Sequence, residues 1–254
     1  MRILILTQDD PFYLAKNLEF LLKHLPDGCE LIGCVVFEVS PFGKREGFIK
    51  KIKRTQKIFG TSFVIRYGWQ YILNKLDKRT KVKQVLQKHH VKLITLEKGI
   101  NHADSLKLIS NLKPEVMVSI AGNQIFKKNL LSIPTKGTIN LHTALLPKYR
   151  GLMPTFWVLK NQEKETGVSV FFVDEGIDSG PIIVQKRVPI HNQTQKELIL
   201  QTKQIGMECI LESLIKIRDN NVQLIPNPEE EMTYFSFPTR EDVREFTRLG
   251  KRFY

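Results

Sequence analysis

Apolar positions along the chain follow two rhythms. Short runs at Arg2–Leu6, Glu30–Phe37, Val91–Thr95, Val116–Ala121, Ile139–Leu141, Gly167–Val173 and Ile182–Pro189 predict strands, most of them buried on both faces. Between these runs apolar residues recur at helical spacing. Phe12, Leu14, Leu18, Leu21 and Leu22 predict a helix that starts at Asp9/Asp10 with Pro11 and ends near Pro26. Shorter helices are expected at Lys81–His90, at Ser105–Leu112 with Asp104 as cap, at Lys127–Ile133 stopped by Pro134, and from Pro154 to Leu159. Thr194–Lys216 is long and carries Leu198, Ile205, Met207, Ile210 and Leu214 as a buried stripe, and Thr194 with Glu197 has the form of a capping box. Strand and helix in alternation predict an α/β fold, a doubly wound, mostly parallel Rossmann-like sheet. Ligands of such sheets sit beyond the carboxyl ends of the strands.

Residues 40–79 interrupt this order and read as an insertion. Bulky apolar and basic residues alternate there at helical spacing, from Phe48 and Ile49 to Trp69, Tyr71 and Leu73. The 254-residue chain carries a formal net charge of +13, and residues 44–83 alone hold thirteen Lys or Arg against two acids, a net of +11 that leaves +2 for the remainder. The charge is thus one local device. Three uses fit it: helices packed on the body with solvated lysines, an amphipathic surface lying on anionic lipid, or a phosphate-binding face for RNA or a nucleotide. Residues 1–218 are expected to form one domain containing this segment. Beyond Asp219-Asn220-Asn221, residues 219–254 are expected to be a short C-terminal extension with a last helix starting near Thr239.

Composition adds exclusions. Forty-two per cent apolar and 26% charged residues are ordinary for a globular chain. Cys29, Cys34 and Cys209 form no CxxC pair and no ligand cluster, so no metal is expected, and buried thiols in a reducing cytoplasm fit them. Met1–Thr7 is too short for a signal peptide, and no apolar run is long enough to span a bilayer. After the first strand, Thr7-Gln8-Asp9-Asp10-Pro11 contains no glycine, which argues against a dinucleotide cofactor.

The candidate chemistry is concentrated between Gly137 and Gly180. Asn140 and His142 lie two residues apart at a strand end, so their side chains share one face. Leu145-Leu146-Pro147-Lys148-Tyr149-Arg150-Gly151 follows as a loop, and Asp174-Glu175-Gly176-Ile177-Asp178-Ser179-Gly180 forms an acidic loop between two strands. Together with Gly167-Val168-Ser169-Val170, this ordered set resembles the folate-dependent formyltransferases. That family includes glycinamide ribonucleotide, methionyl-tRNA and sugar N-formyltransferases and the formyltetrahydrofolate deformylases. The likeness covers about Val116 to Ile190. It implies 10-formyltetrahydrofolate as formyl donor and maps Asn140, His142 and Asp178 onto the family's catalytic trio. It also implies folate contacts at Ala121, Gly122, Asn123, Gln124 and Ile125, largely through backbone groups, and at Asp174, Glu175 and Gly176. Ala144 departs from the serine common in the family. Lys148, Tyr149 and Arg150 are candidates for substrate phosphate, although Tyr149 and Arg150 can equally serve the loop itself.

These residue types suit formyl transfer. An amide donates to a developing oxyanion whatever the pH, and an imidazole titrates near neutrality and can move the amine's proton. The acceptor is narrowed by elimination. The glycine-free first turn disfavours a glycinamide ribonucleotide, and the tail is shorter than the C-terminal barrel that the methionyl-tRNA enzymes use on tRNA. An amino sugar on a nucleotide or lipid carrier is the expected acceptor, with tRNA less favoured. A cytoplasmic enzyme, peripheral on the inner membrane face through residues 44–83, and a homodimer are further expectations. A deformylase and a non-catalytic membrane- or nucleic-acid-binding module are the alternatives.

Overall fold

The computed structural model describes residues 1–37, 47–122 and 124–254. Strands β1 (Arg2–Gln8), β2 (Glu30–Phe37), β3 (Leu93–Ile94), β4 (Val116–Ser119) and β5 (Thr138–His142) run parallel in the spatial order β3-β2-β1-β4-β5. β6 (Arg150–Gly151) lies outside this sheet. β7 (Glu165–Phe172) pairs antiparallel with β5, and β8 (Ile182–Pro189) closes the seven-stranded sheet antiparallel to β7. The sheet is therefore mostly parallel and Rossmann-like, with a two-strand antiparallel margin.

Alternation along the strands explains the layers. Ile3, Ile5, Val116 and Val118 point into one core together with Leu14, Leu18 and Leu21 of α1 (Leu14–Lys23). Leu4, Leu6 and Met117 point to the other face, against Ile109 and Leu130. Burial on both faces is what the near-continuous apolar runs require. On the first face α1 is joined by α4 (Val82–Lys88) and by the last two-thirds of a long C-terminal helix. The opposite face is covered by α5 (Ala103–Asn111) and α6 (Lys128–Leu131).

Between β2 and α4 the described residues form α2 (Phe48–Phe59) and α3 (Thr61–Leu76), separated by Gly60 at φ +89°. After β6 come α7 (Pro154–Lys160), the β7–β8 hairpin and α8 (Gln195–Arg218). Thr194 and Glu197 form the expected capping box at the start of α8. The last elements are β9 (Tyr234–Phe235) and α9 (Arg240–Arg248). A third cluster joins Phe156 and Trp157 of α7 to Val243 and Phe246 of α9 and to the partly buried Phe253. Residues 219–254 thus supply part of a core, and β9 pairs parallel with β6.

Three local expectations shift. The first helix begins at Leu14 and not after Asp10, because the Asp10 carboxylate accepts from Phe12 N at 2.8 Å and holds residues 11–13 in a turn. The cap of α5 is His102, whose ring nitrogen accepts from Asp104 N, so Asp104 itself lies in the first turn. The strand expected at Val91–Thr95 is reduced to two residues, Leu93–Ile94.

Candidate active site

β5 places Asn140 and His142 on one side of the sheet, with Ser119 of β4 beside Asn140 and Ser169 of β7 beside His142. His142 is buried, with a side chain 7% exposed. Its Nε2 lies 2.7 Å from Tyr149 O, and a carbonyl only accepts, so Nε2 carries a proton. Nδ1 faces the Asp178 carboxylate at 3.5 Å. In the neutral ring Nδ1 therefore holds the free lone pair, and in the charged ring it faces an anion.

Asp178 arrives from the loop between β7 and β8 and is itself pinned. Its Oδ2 accepts from Gly151 N at 2.9 Å, and its backbone adopts φ +50°. Gly151 has to be glycine here. Its φ is +96°, and a Cβ would lie 2.3 Å from Phe235 O. Positive φ angles also occur at Ala121, Tyr149 and Met153, so uncommon backbone conformations gather around these loops. The Leu146–Pro147 peptide is cis. Ser169 Oγ donates to Ala144 O at 2.7 Å and accepts from Leu146 N, while Gln185 Nε2 donates to Leu146 O and to Ser169 Oγ. The stretch after His142 is thereby fastened to β7 and β8.

Asn140 shares one feature with Thr138 on the same strand and with Arg150, an unpartnered buried polar atom. Its Oδ1 is buried with no hydrogen-bond partner among the described residues. Buried polar atoms are rarely left so. The chain leaving β4 next to Asn140 reaches Ala121 (φ +54°), Gly122 and Gln124, with Ile125 exposed. Asn123 lies outside the described residues. Asn101 anchors the far side of this stretch: its Nδ2 donates to Ile125 O at 2.7 Å and its Oδ1 accepts from Lys127 N at 2.9 Å. In the acidic loop Glu175 and Gly176 are exposed, and Asp174 Oδ1 accepts from Gly176 N and Ser179 Oγ.

The three residues considered for substrate phosphate separate. Lys148 is exposed. Tyr149 is buried and its hydroxyl donates to Glu163 Oε1 at 2.6 Å. Burial, with the glutamate second, pushes its pKa up to about 12. Arg150 is 3% exposed; its terminal nitrogens donate to Glu229 Oε2 at 3.0 Å and to both oxygens of Asn227, while its buried Nε has no partner among the described residues. As placed, the Tyr149 hydroxyl and the terminal nitrogens of Arg150 hold the loop. The partner that gives Arg150 this position, Asn227, also donates to Asp178 O and Gly180 O, both at 2.9 Å. Asn227 therefore ties the two loops together. Nothing in its local sequence marks it, since its partners are remote in the chain.

A cavity of about 790 Å³ opens between α1, α3 and the first turns of α8; it reaches Met153, and Asn140, His142 and Asp178 are not in its lining. Phe12 and Tyr67 stack at 4.5 Å in its wall, and Gln70, Asn74, Gln201 and Gln204 add neutral hydrogen-bonding groups. Near it the Asp10 carboxyl is pushed up by burial and opposed by Lys203, whose ammonium burial pushes down. No group of three or more His, Cys, Asp or Glu side chains suited to a metal occurs among the described residues.

The formyl transferase family profile matches residues 45–214. The chain belongs to the formyl transferase family. A methionyl-tRNA formyltransferase of Kosmotoga olearia is 34% identical over 168 residues, 65% of this chain and 53% of the relative. The chain spans about half the length of the curated relatives it matches. Among solved structures, the N-formyltransferase of Helicobacter canadensis, in complex with folinic acid and dTDP-3-aminofucose, is similar with a TM-score of 0.60 at 19% identity, covering 97% of this chain and 79% of that one. The phosphoribosylglycinamide formyltransferase of Anaplasma phagocytophilum has a TM-score of 0.63 at 15% identity, covering 93% and 98%. At such identities these structures support the fold of this family member and leave its acceptor open.

Proposed function

We propose that this formyl transferase family member moves a formyl group from 10-formyltetrahydrofolate to the amino group of a nucleotide-linked amino sugar. The observation that carries the reaction is the placement of Asn140 and His142 on one strand end with Asp178 brought to His142 by a separate loop. The folate supplies an activated formyl carbon. Asn140 donates an amide N–H from Nδ2 to the oxygen on which charge builds. His142 takes the proton shed by the attacking amine on Nδ1, the atom left free by the Tyr149 carbonyl, and returns it to the departing nitrogen. Asp178 stabilises the charged ring in between. The loop from Ala121 to Ile125 and the exposed Glu175–Gly176 edge are the proposed folate contacts, with Asn101 setting the first of them.

The amino-sugar acceptor is supported by the cavity. Stacked aromatic rings with neutral amides suit a base and a sugar, and Lys16, Arg79 and Lys196 of the same lining suit the phosphates between them. The structural relative that carries a nucleotide sugar is consistent with this reading. A second reading, tRNA as acceptor, is favoured by the names of the sequence relatives.

The test is turnover of 10-formyltetrahydrofolate with a panel of nucleotide-linked amino sugars, beside aminoacylated initiator tRNA and a no-acceptor control. Formylated sugar that disappears in His142→Ala is the expected outcome. Formylated tRNA would overturn the acceptor, and free formate without any acceptor would overturn transfer in favour of hydrolysis.

A further inference from the structure

The α2–α3 segment carries a surface that the reaction does not use. No residue of α3 is buried. Its inner side carries Phe63 and Tyr67, which stack in a row with Phe59 and Phe12. Its outer side carries Ile65, Trp69, Ile72 and Leu76, spaced four, three and four residues apart, with Leu73 alongside. Ile65, Trp69 and Leu76 are 67, 66 and 76% exposed. At 100° per residue these side chains form one continuous strip. Monomeric chains seldom show water such a row of large aliphatic and indole groups.

Cations are exposed on the neighbouring helices. On α2, Lys50, Lys53 and Lys57 are exposed on the side that also shows Ile49 and Ile52. At the α2–α3 junction a shallow groove against Ile58, Phe59 and Gly60 is edged by Arg240, Arg244 and Arg248 of α9. Arg244 there also pairs with Glu241 at 3.4 Å, and Arg66 of α3 lies over the Tyr254 ring at 4.4 Å.

We propose that this face docks on a bilayer surface rich in anionic lipid, with the α3 strip entering the headgroup boundary and the α2 lysines meeting lipid phosphates. Apolar strip and flanking lysines together are the composition of an interfacial helix, and an indole is favoured at that depth. Two other occupants fit less well. A second copy seated symmetrically would bring the same lysines face to face. An RNA backbone asks for the cations but has no use for five outward aliphatic and indole groups. The proposal is independent of which amine accepts the formyl group.

The chain has two tryptophans, and Trp157 is buried, so Trp69 reports on this face directly. Expected with phosphatidylcholine–phosphatidylglycerol vesicles are co-sedimentation and a blue shift of tryptophan emission, neither of which occurs with phosphatidylcholine alone. The Ile65→Ser/Leu76→Ser variant should lose the shift. Lys50→Gln/Lys53→Gln/Lys57→Gln, changed only at exposed side chains, should weaken vesicle binding about a hundredfold, from the usual contribution of one lysine near an anionic surface. Absence of anionic-vesicle binding in the wild-type chain overturns the proposal. So does a blue shift that appears on raising protein concentration without lipid, which assigns the strip to a second copy. Displacement of the protein from vesicles by tRNA, with a tRNA affinity unchanged in Ile65→Ser/Leu76→Ser, assigns the cations to RNA and overturns it as well.

Discussion

The buried oxygen of Asn140 has no partner, so the folded chain gains little from that side chain. Asn140→Ala should therefore leave Tm unchanged or slightly raised while lowering kcat by about 10²–10³, the usual cost of one oxyanion donor. Thermal unfolding and turnover measured on the same preparation check both halves. Asp178→Asn tests the carboxylate separately. Asparagine tolerates the positive φ and can still accept from Gly151 N, but it no longer faces Nδ1 with a charge. Turnover should fall with the fold intact; unchanged turnover would remove Asp178 from the chemistry. Asn140 and His142 are legible in the sequence because two residues on a strand share a face. Asp178 is not, since no local pattern says that a hairpin loop folds back to an imidazole, and only the family resemblance suggested it. Arg150 shows the converse limit. A cation in a loop reads as a phosphate ligand, and the sequence does not show that Glu229 and Asn227, far along the chain, bond its terminal nitrogens.

At the scale of elements, the loops around His142 are held by side chains that belong to neither. Asn227→Ala removes the hydrogen bonds of its amide to Asp178 O, Gly180 O and the Arg150 guanidinium. The expected loss is about 1–3 kcal/mol of stability, the range for unpairing buried polar groups. Activity should fall through loosened loops as well. Urea unfolding and steady-state kinetics on the variant measure these effects, and a change in neither would show the tie to be dispensable. The long strands and α8 follow directly from apolar runs and spacing because their signals are contained within the element. β6 and β9 were illegible for the opposite reason: each is two residues long, and their pairing is decided by tertiary contact. The start of α1 was misjudged because Asp10 bonds Phe12 locally and competes with helix entry.

Across the whole molecule, residues 219–254 close the structure. Phe246 and Val243 fill the cluster around Phe156 and Trp157, and Thr233 Oγ1 accepts from Tyr149 N at 2.8 Å. A chain ended at Arg218 should aggregate or show Trp157 emission shifted toward that of exposed indole, and should lack turnover. Soluble, active truncated protein would instead make the segment a detachable extension. The packing of this segment on α7 is not legible in the sequence, where its prolines and polar residues resemble a linker. The local positive charge was readable from residue counts alone, whereas the outward turn of the α3 strip was not, because helical spacing does not say which side meets the body.

The pairing of β6 with β9 also sets an order in time. His142 and Gly151 leave the ribosome long before Asn227, Thr233 and Phe235, so the loop that carries them waits for partners that are synthesised much later. A nascent chain can complete most of its parallel sheet and still be chemically inert. The loop around His142 is expected to set only after Asn227 and Phe235 have been made, as a single closing event.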